Sequence, residues 1–356
     1  MLAQPLSATE RLDLLNIGLM AVACAVAFVI PFELFLFSYA ILGPLHYLTE
    51  ISWLHDKKYY LPDRRFAGVL LLLTALITLV FFNFTHQLGL RLPANAGAYL
   101  AYTALVGTLV VMVGKTLYQR LVLIVSGLIL LVAIRSGSYF PLILAVFLPT
   151  LIHVYVFTGL FMLYGALKSR SRTGLLAVVV LALCPVLLWG LFPDGGASRA
   201  VTAYGQDAYV GGARQVGFWS LNSNTLYSLF GIQPTPGADP MAFWLEEVFH
   251  SRTGILLMRF IAFAYTYHYL NWFSKTRIIR WHNVPRARFA GVLALWGVSI
   301  GLYVWSYSVG LQWLYFLSYL HVVLEFPLNH TSVVGIVSIL RQRLGGGGGA
   351  QQPEHA

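Results

Sequence analysis

Hydrophobic positions fill runs of 18 or more residues from one end of the chain to the other, separated by short polar or basic clusters. In lipid such runs must be helical, because every backbone N–H and C=O needs a partner within the protein. The pattern predicts ten spans, at about 12–31, 34–54, 66–85, 97–114, 119–134, 140–167, 174–192, 254–274, 289–308 and 311–330. The sixth is long enough to tilt or to kink at Pro149. The first run has no basic flank and no small-residue cleavage site, and further spans follow it at once, so it is predicted to be a span rather than a cleaved signal peptide. Residues 1–343 thus read as one all-α, polytopic transmembrane domain, and 344–356 (GGGGGAQQPEHA at its end) as a flexible tail. One long connection, about 193–253, is rich in Gly, Pro, Asn and aromatics; it is predicted to form short helices over one surface, as a lid.

Composition agrees with the pattern. The chain is 58% hydrophobic and 10% charged, with a mean hydropathy of +0.73, whereas a soluble domain carries roughly 25% charged residues. The net charge of +10 is read as basic loops facing anionic lipid rather than as a nucleic-acid surface. Of the 23 Lys and Arg residues, 17 fall in alternate connections, including Lys57, Lys58, Arg64, Arg65 and the five from Lys275 to Arg288. That bias predicts both termini in the cytoplasm, in the inner membrane of a bacterium. Cys24 and Cys184 lie inside apolar runs and offer neither a disulfide framework nor a CxxC metal site.

The chemistry is concentrated in a few polar residues at bilayer depth. Two glutamates lie well inside the predicted spans, and both sit in the pattern H-x3-E-x4-H: His46–Glu50–His55 and His321–Glu325–His330. With ten His and seven Glu in 356 residues, about 0.006 such patterns are expected by chance. An ionisable group at that depth costs at least ~2.5–3.5 kcal/mol and so normally has a partner and a function. Residues i and i+4 share a helix face, so His46 with Glu50, and His321 with Glu325, can each offer an imidazole and a carboxylate to one point. Such donors suit iron, manganese or zinc, as one ion or as a pair.

Depth brings in a third helix. His46 and His321 lie roughly 14–15 Å from the cytoplasmic edge, and His268 roughly 10 Å, at ~1.5 Å per residue. The shared level predicts a site open toward the cytoplasmic half, with His153 joining from above. The third histidines are open in reading. His55 and His330 face away from the other ligands if their helices continue, but Pro327 is expected to break the last helix and swing His330 back. His55 is equally a solvated interfacial residue. Tyr265, Tyr269 and Trp272, around His268, are candidate substrate contacts, and Arg259 is expected to pair with Glu246 or Glu247.

The residues GPLHYLTE (Gly43, His46, Glu50), LPTLIHVYVF (His153), AYTYHYLNWF (His268) and YLHVVLEFP (His321, Glu325) occur in an order that resembles the Brp/Blh-type membrane carotene-cleaving dioxygenases. The chain differs in having Glu for Asp, one His rather than two in the aromatic helix, and a longer outer connection. The resemblance implies a non-haem iron dioxygenase with an apolar substrate and iron held by His46, His153, His268 and His321.

The leading expectation is a membrane oxygenase, hydroxylase or desaturase acting on a lipid or isoprenoid, with Glu50 and Glu325 as the catalytic carboxylates and, for some of these reactions, an electron donor. Zinc in the same site would give a hydrolase. A transporter with a His/Glu ion or proton path and a b-type haem protein are the competing classes.

Overall fold

The computed structural model describes residues 6–344 except 88, 90, 94, 138, 197 and 212–216. Arg214 and the tail 345–356 lie outside the described residues. Among the described residues there are helices and connections and no strand. In chain order, and leaving aside single turns, the helices are α1 (Ala8–Val29), α2 (Pro31–Asp56), α3 (Arg65–Phe81), α4 (Ala96–Val113), α5 (Leu117–Ile134), α6 (Tyr139–Ser169) and α7 (Arg172–Gly190). Three short helices follow, α8 (Ala203–Val210), α9 (Trp219–Phe230) and α10 (Pro240–Phe249), and then α11 (Arg252–Ser274), α12 (Arg286–Trp305) and α13 (Tyr307–Leu344).

Eight of these helices are long and apolar enough to cross a membrane, which makes this a membrane protein. The exceptions among the long ones are instructive. Helix α3 has only 17 residues. Helix α11 has 23 but carries Arg259, His268 and Asn271, and all three side chains are buried. It packs against α1, α2, α6 and α7 at the centre of the bundle. At the other extreme, Gly127 is the one buried residue of α5 among the described residues. The most polar long helix is inside and one of the most apolar is outside, as a lipid solvent requires.

Local chemistry sets the ends. Ser7 and Thr116 each close a capping box with Glu10 and Gln119, and Ser171 and Ser251 cap α7 and α11; each cap satisfies an N–H that the helix itself cannot. Two long helices contain π-helical turns: Ser38–Leu42 in α2 and Leu142–Phe157 in α6. The second surrounds Pro149, whose missing N–H is absorbed by the wider winding.

Helix α13 corrects the expectation for Pro327. It runs unbroken for 38 residues from Tyr307 to Leu344, through Pro327. A proline removes one backbone bond, and a helix held by neighbours in a membrane bundle tolerates that loss.

The connection between α7 and α11 is tied down at its root by Arg259. This side chain is fully buried. Its Nε donates to Ser198 Oγ at 2.8 Å, and its Nη1 donates to the carbonyls of Leu188, Leu191 and Phe192 at 3.1–3.3 Å. Its guanidinium lies 4.1 Å from the Phe28 ring centre. The expected ion pair with Glu246 or Glu247 does not form; the charge caps the carbonyl end of α7 instead, where the helix dipole is negative.

Candidate metal centre

Four helices deliver one histidine each: His46 from α2, His153 from α6, His268 from α11 and His321 from α13. All four are buried, and one nitrogen from each lies within 4.8 Å of the others. His46 Nε2 and His268 Nε2 are 3.0 Å apart, as are His153 Nε2 and His321 Nε2. Two nitrogens bound at right angles to one ion at 2.0–2.1 Å stand about 2.9 Å apart, and about 3.4 Å at the tetrahedral angle. Those two separations match neighbouring positions on one ion, and the bound of 4.8 Å on the whole set lies a little above the about 4.1 Å between opposite positions, so the four rings need draw in by only a few tenths of an ångström to share an ion.

The two π-helical stretches lie at the ligands. In α2 the widened turn ends at Leu42, with Gly43 and Pro44 opening the stretch that carries His46. In α6 His153 sits within the widened segment itself. A π-turn shifts the face that a helix presents, and such turns recur at functional sites.

The carboxylates flank the nitrogens unequally. Glu50 Oε2 is 3.0 Å from His46 Nε2, on the side where the four nitrogens converge. Glu325 Oε2 is 3.1 Å from His153 Nδ1, on the far side of that ring. A carboxylate behind a ligating imidazole fixes its tautomer and raises its basicity. Neither Glu50 oxygen has a protein donor, and the Nδ1 atoms of His46, His153 and His321 lack well-aligned partners. Buried polar atoms are normally paired. A cluster of nitrogen and oxygen acceptors facing one another, short of donors, is what a cation would satisfy, so these residues fit a metal ion.

Several supporting residues carry no signature in the sequence. Thr158 Oγ1 is 2.8 Å from His268 Nδ1, so with Nε2 free for an ion the ring donates N–H to this hydroxyl. Tyr47 stacks on His321 with ring centres 4.5 Å apart and an interplanar angle of 25°. Its hydroxyl is 2.9 Å from that of Tyr269. Gly43 makes this pairing possible, because a Cβ there would lie 2.8 Å from Tyr47 Oη and 3.2 Å from Tyr269 Oη. The i, i+4 spacing of Gly43 and Tyr47 is the only hint of this in the chain.

His55 and His330 are not part of the cluster. His55 is exposed at the end of α2, with Nε2 3.1 Å from Arg64 and Nδ1 3.4 Å from Asp56. His330 lies nine residues beyond His321 on an unbroken helix, half a turn away in angle, and its Nε2 donates to Leu105 O of α4 at 3.2 Å. Trp272 packs edge-on against His46, with ring centres 5.4 Å apart, and its Nε1 donates to Thr49 Oγ1 at 3.0 Å, bracing α11 against α2.

His153, His268 and His321 line a cavity of about 140 Å³. Tyr265 and Tyr269 line it, whereas Trp272 does not. Residues Phe218, Ser220, Leu221 and Asn224 of the long connection close one end. The cavity thus extends toward the end of the bundle that carries this connection, and not toward the Lys57–Arg65 end as the shared depth of the histidines predicts. Depth along a helix locates the ligands; the large aromatic side chains decide on which side space is left.

No known family model, curated protein or solved structure matches this chain.

Proposed function

We propose that this chain is an integral membrane oxidoreductase of the non-haem iron type, holding one ion on His46, His153, His268 and His321 and acting on an apolar, lipid-like substrate. The observation that carries this reading is the convergence of four buried imidazoles beside an aromatic-walled cavity. The order of the motifs, which resembles that of the Brp/Blh-type dioxygenases, supports it. When bound, iron would supply oxygen activation, which zinc cannot because it has no redox chemistry.

The residues around the ion have separate tasks. The four neutral imidazoles bind without compensating charge, so Glu50 and Glu325 supply the negative charge that a divalent cation needs in low dielectric. Thr158 holds His268 in the tautomer that leaves Nε2 free, and the Glu325 carboxylate, 3.1 Å from His153 Nδ1, favours the same tautomer of His153. Tyr39, Tyr47, Tyr265 and Tyr269 wall the cavity and keep bulk water from the reacting atoms. The segment Phe218–Asn224 acts as its lid. In this reading all ten long helices cross the bilayer of a bacterial inner membrane, with both termini cytoplasmic. An electron donor is required if the reaction is a hydroxylation or desaturation, and none if both oxygen atoms enter the product.

The test is a Mössbauer and optical spectrum of protein grown on isotopically enriched iron. A high-spin ferrous doublet without a Soret band is expected. A Soret band, or zinc filling the site in protein grown with iron in excess, would overturn the assignment.

A further inference from the structure

A second cavity, of about 250 Å³, lies beside the first, with Phe81, Asn95, Ala145, Tyr315 and Tyr319 in its lining. Four of these residues, Phe81, Ala145, Tyr315 and Tyr319, line both cavities. They form the wall between the two. Phe81 and Tyr315 stack face to face across it, with ring centres 4.0 Å apart and an interplanar angle of 16°. Phe81 is 54% exposed, so the far side of this pair meets the bundle surface. On α13 Tyr315 precedes His321 by six residues, about 9 Å along the axis.

The second cavity sits where α3 ends, α4 begins and α6 begins, at the end of the bundle that holds the lid. Its side chains are apolar apart from Asn95 and the tyrosine hydroxyls, and backbone groups at the helix ends bring its polar surface to almost half, well above the share in the first cavity. Asn95 occupies the N-cap position of α4, yet its side chain does not cap that helix, so its amide is free of the usual duty of an N-cap residue. Apolar surface alone would give no selectivity here, because a hydrocarbon chain is already in an apolar medium in the bilayer. Selection must come from shape and from the polar end.

We infer that the two cavities form one bent binding site for a single-chain amphiphile. A slender hydrocarbon chain passes Phe81 and Tyr315 to reach the histidines, and a small polar end, such as a hydroxyl, stays beside Asn95. Rings at the junction exclude a bulky end group, and Ala145 supplies the room for the chain. The inference rests on the proposed function for the fate of the chain at the histidines, but not for its binding.

The test uses a long-chain alcohol with a terminal diazirine, in lipid nanodiscs containing the full chain, with labelled residues mapped by mass spectrometry. Wild type should label at the inner cavity, on Tyr265, Tyr269 or Tyr47. Ala145→Phe, which fills the junction, should reduce that labelling at least tenfold while labelling of the lipid-facing helix α5 is unchanged. Phe81→Ala should increase it, and this variant together with Ala145→Leu keeps the test open if Ala145→Phe fails to fold. Inner labelling that survives the filled junction would overturn the inference. The same diazirine on the acyl chain of a phosphatidylcholine should label the outer face but not the inner cavity; equal inner labelling would overturn the small polar end. All measurements are made with and without a chelator, so absence of iron would defeat the functional reading and leave the labelling pattern standing or falling by itself.

Discussion

Helices α2 and α13 carry the same H-x3-E sequence and use it differently. In α2 the two residues meet each other: Glu50 Oε2 stands 3.0 Å from His46 Nε2, one turn away on the same helix. In α13 they do not. His321 faces His153 of α6 through Nε2, while Glu325 reaches past it to the Nδ1 of the same His153. The spacing fixes only that imidazole and carboxylate share a face. What each then touches depends on the neighbour: α11 places His268 against His46, whereas α6 places both edges of one imidazole within reach of α13. One local pair and one crossed pair thus feed the same four-histidine cluster.

The comparison can be broken most forcefully at the imidazoles. His46→Ala and His321→Ala should each weaken metal binding by more than about 100-fold, beyond the 10–100-fold range of supporting residues, read by competition against a chelator. If one of them retained wild-type affinity, the two helices would not be equivalent as ligand donors.

The carboxylates sharpen it. Glu50→Gln and Glu325→Gln should each lower affinity by about 10–100-fold, but their couplings should differ. A double-variant cycle should show coupling of about 0.5–3 kcal/mol for Glu50 with His46 and for Glu325 with His153. The larger coupling of Glu325 should lie with His153 rather than with His321, its own motif partner. Coupling to His321 that exceeded coupling to His153 would show that both motifs work locally.

Smaller effects follow at the periphery. Thr158→Val removes the partner of His268 Nδ1 and should weaken metal binding by about tenfold, with the bundle still folded by its melting profile. His330→Ala should leave metal content unchanged and cost about 1 kcal/mol of stability through the lost bond to Leu105. His55→Ala should change neither, and a loss of metal there would place a fifth helix position in the site.

The helices and the four clustered histidines were legible in the sequence for a physical reason. Long apolar runs have one structural solution in lipid, and a buried ionisable residue stands out against them. His46, Glu50, His268, His321 and Glu325 all declare themselves in this way, and His153 does so less strongly because it has no partner on its own helix. What could not be read depends on contacts between helices. Thr158 is one hydroxyl among many, and its role depends on α6 lying beside α11. The direction of the cavity depends on which tyrosines point inward. Pro327 was misleading because its local cost is real, yet the neighbours of α13 outweigh it. Arg259 found backbone carbonyls rather than a carboxylate, because the last turn of α7 and the two residues after it deliver three of them to one place.

The most direct test of the account is the metal stoichiometry of the purified full chain, with the His46→Ala/His321→Ala double variant beside it. The account predicts one iron per wild-type chain and none in the variant. Wild-type protein without bound metal after growth with iron in excess, or a double variant that keeps the wild-type metal content, would contradict it.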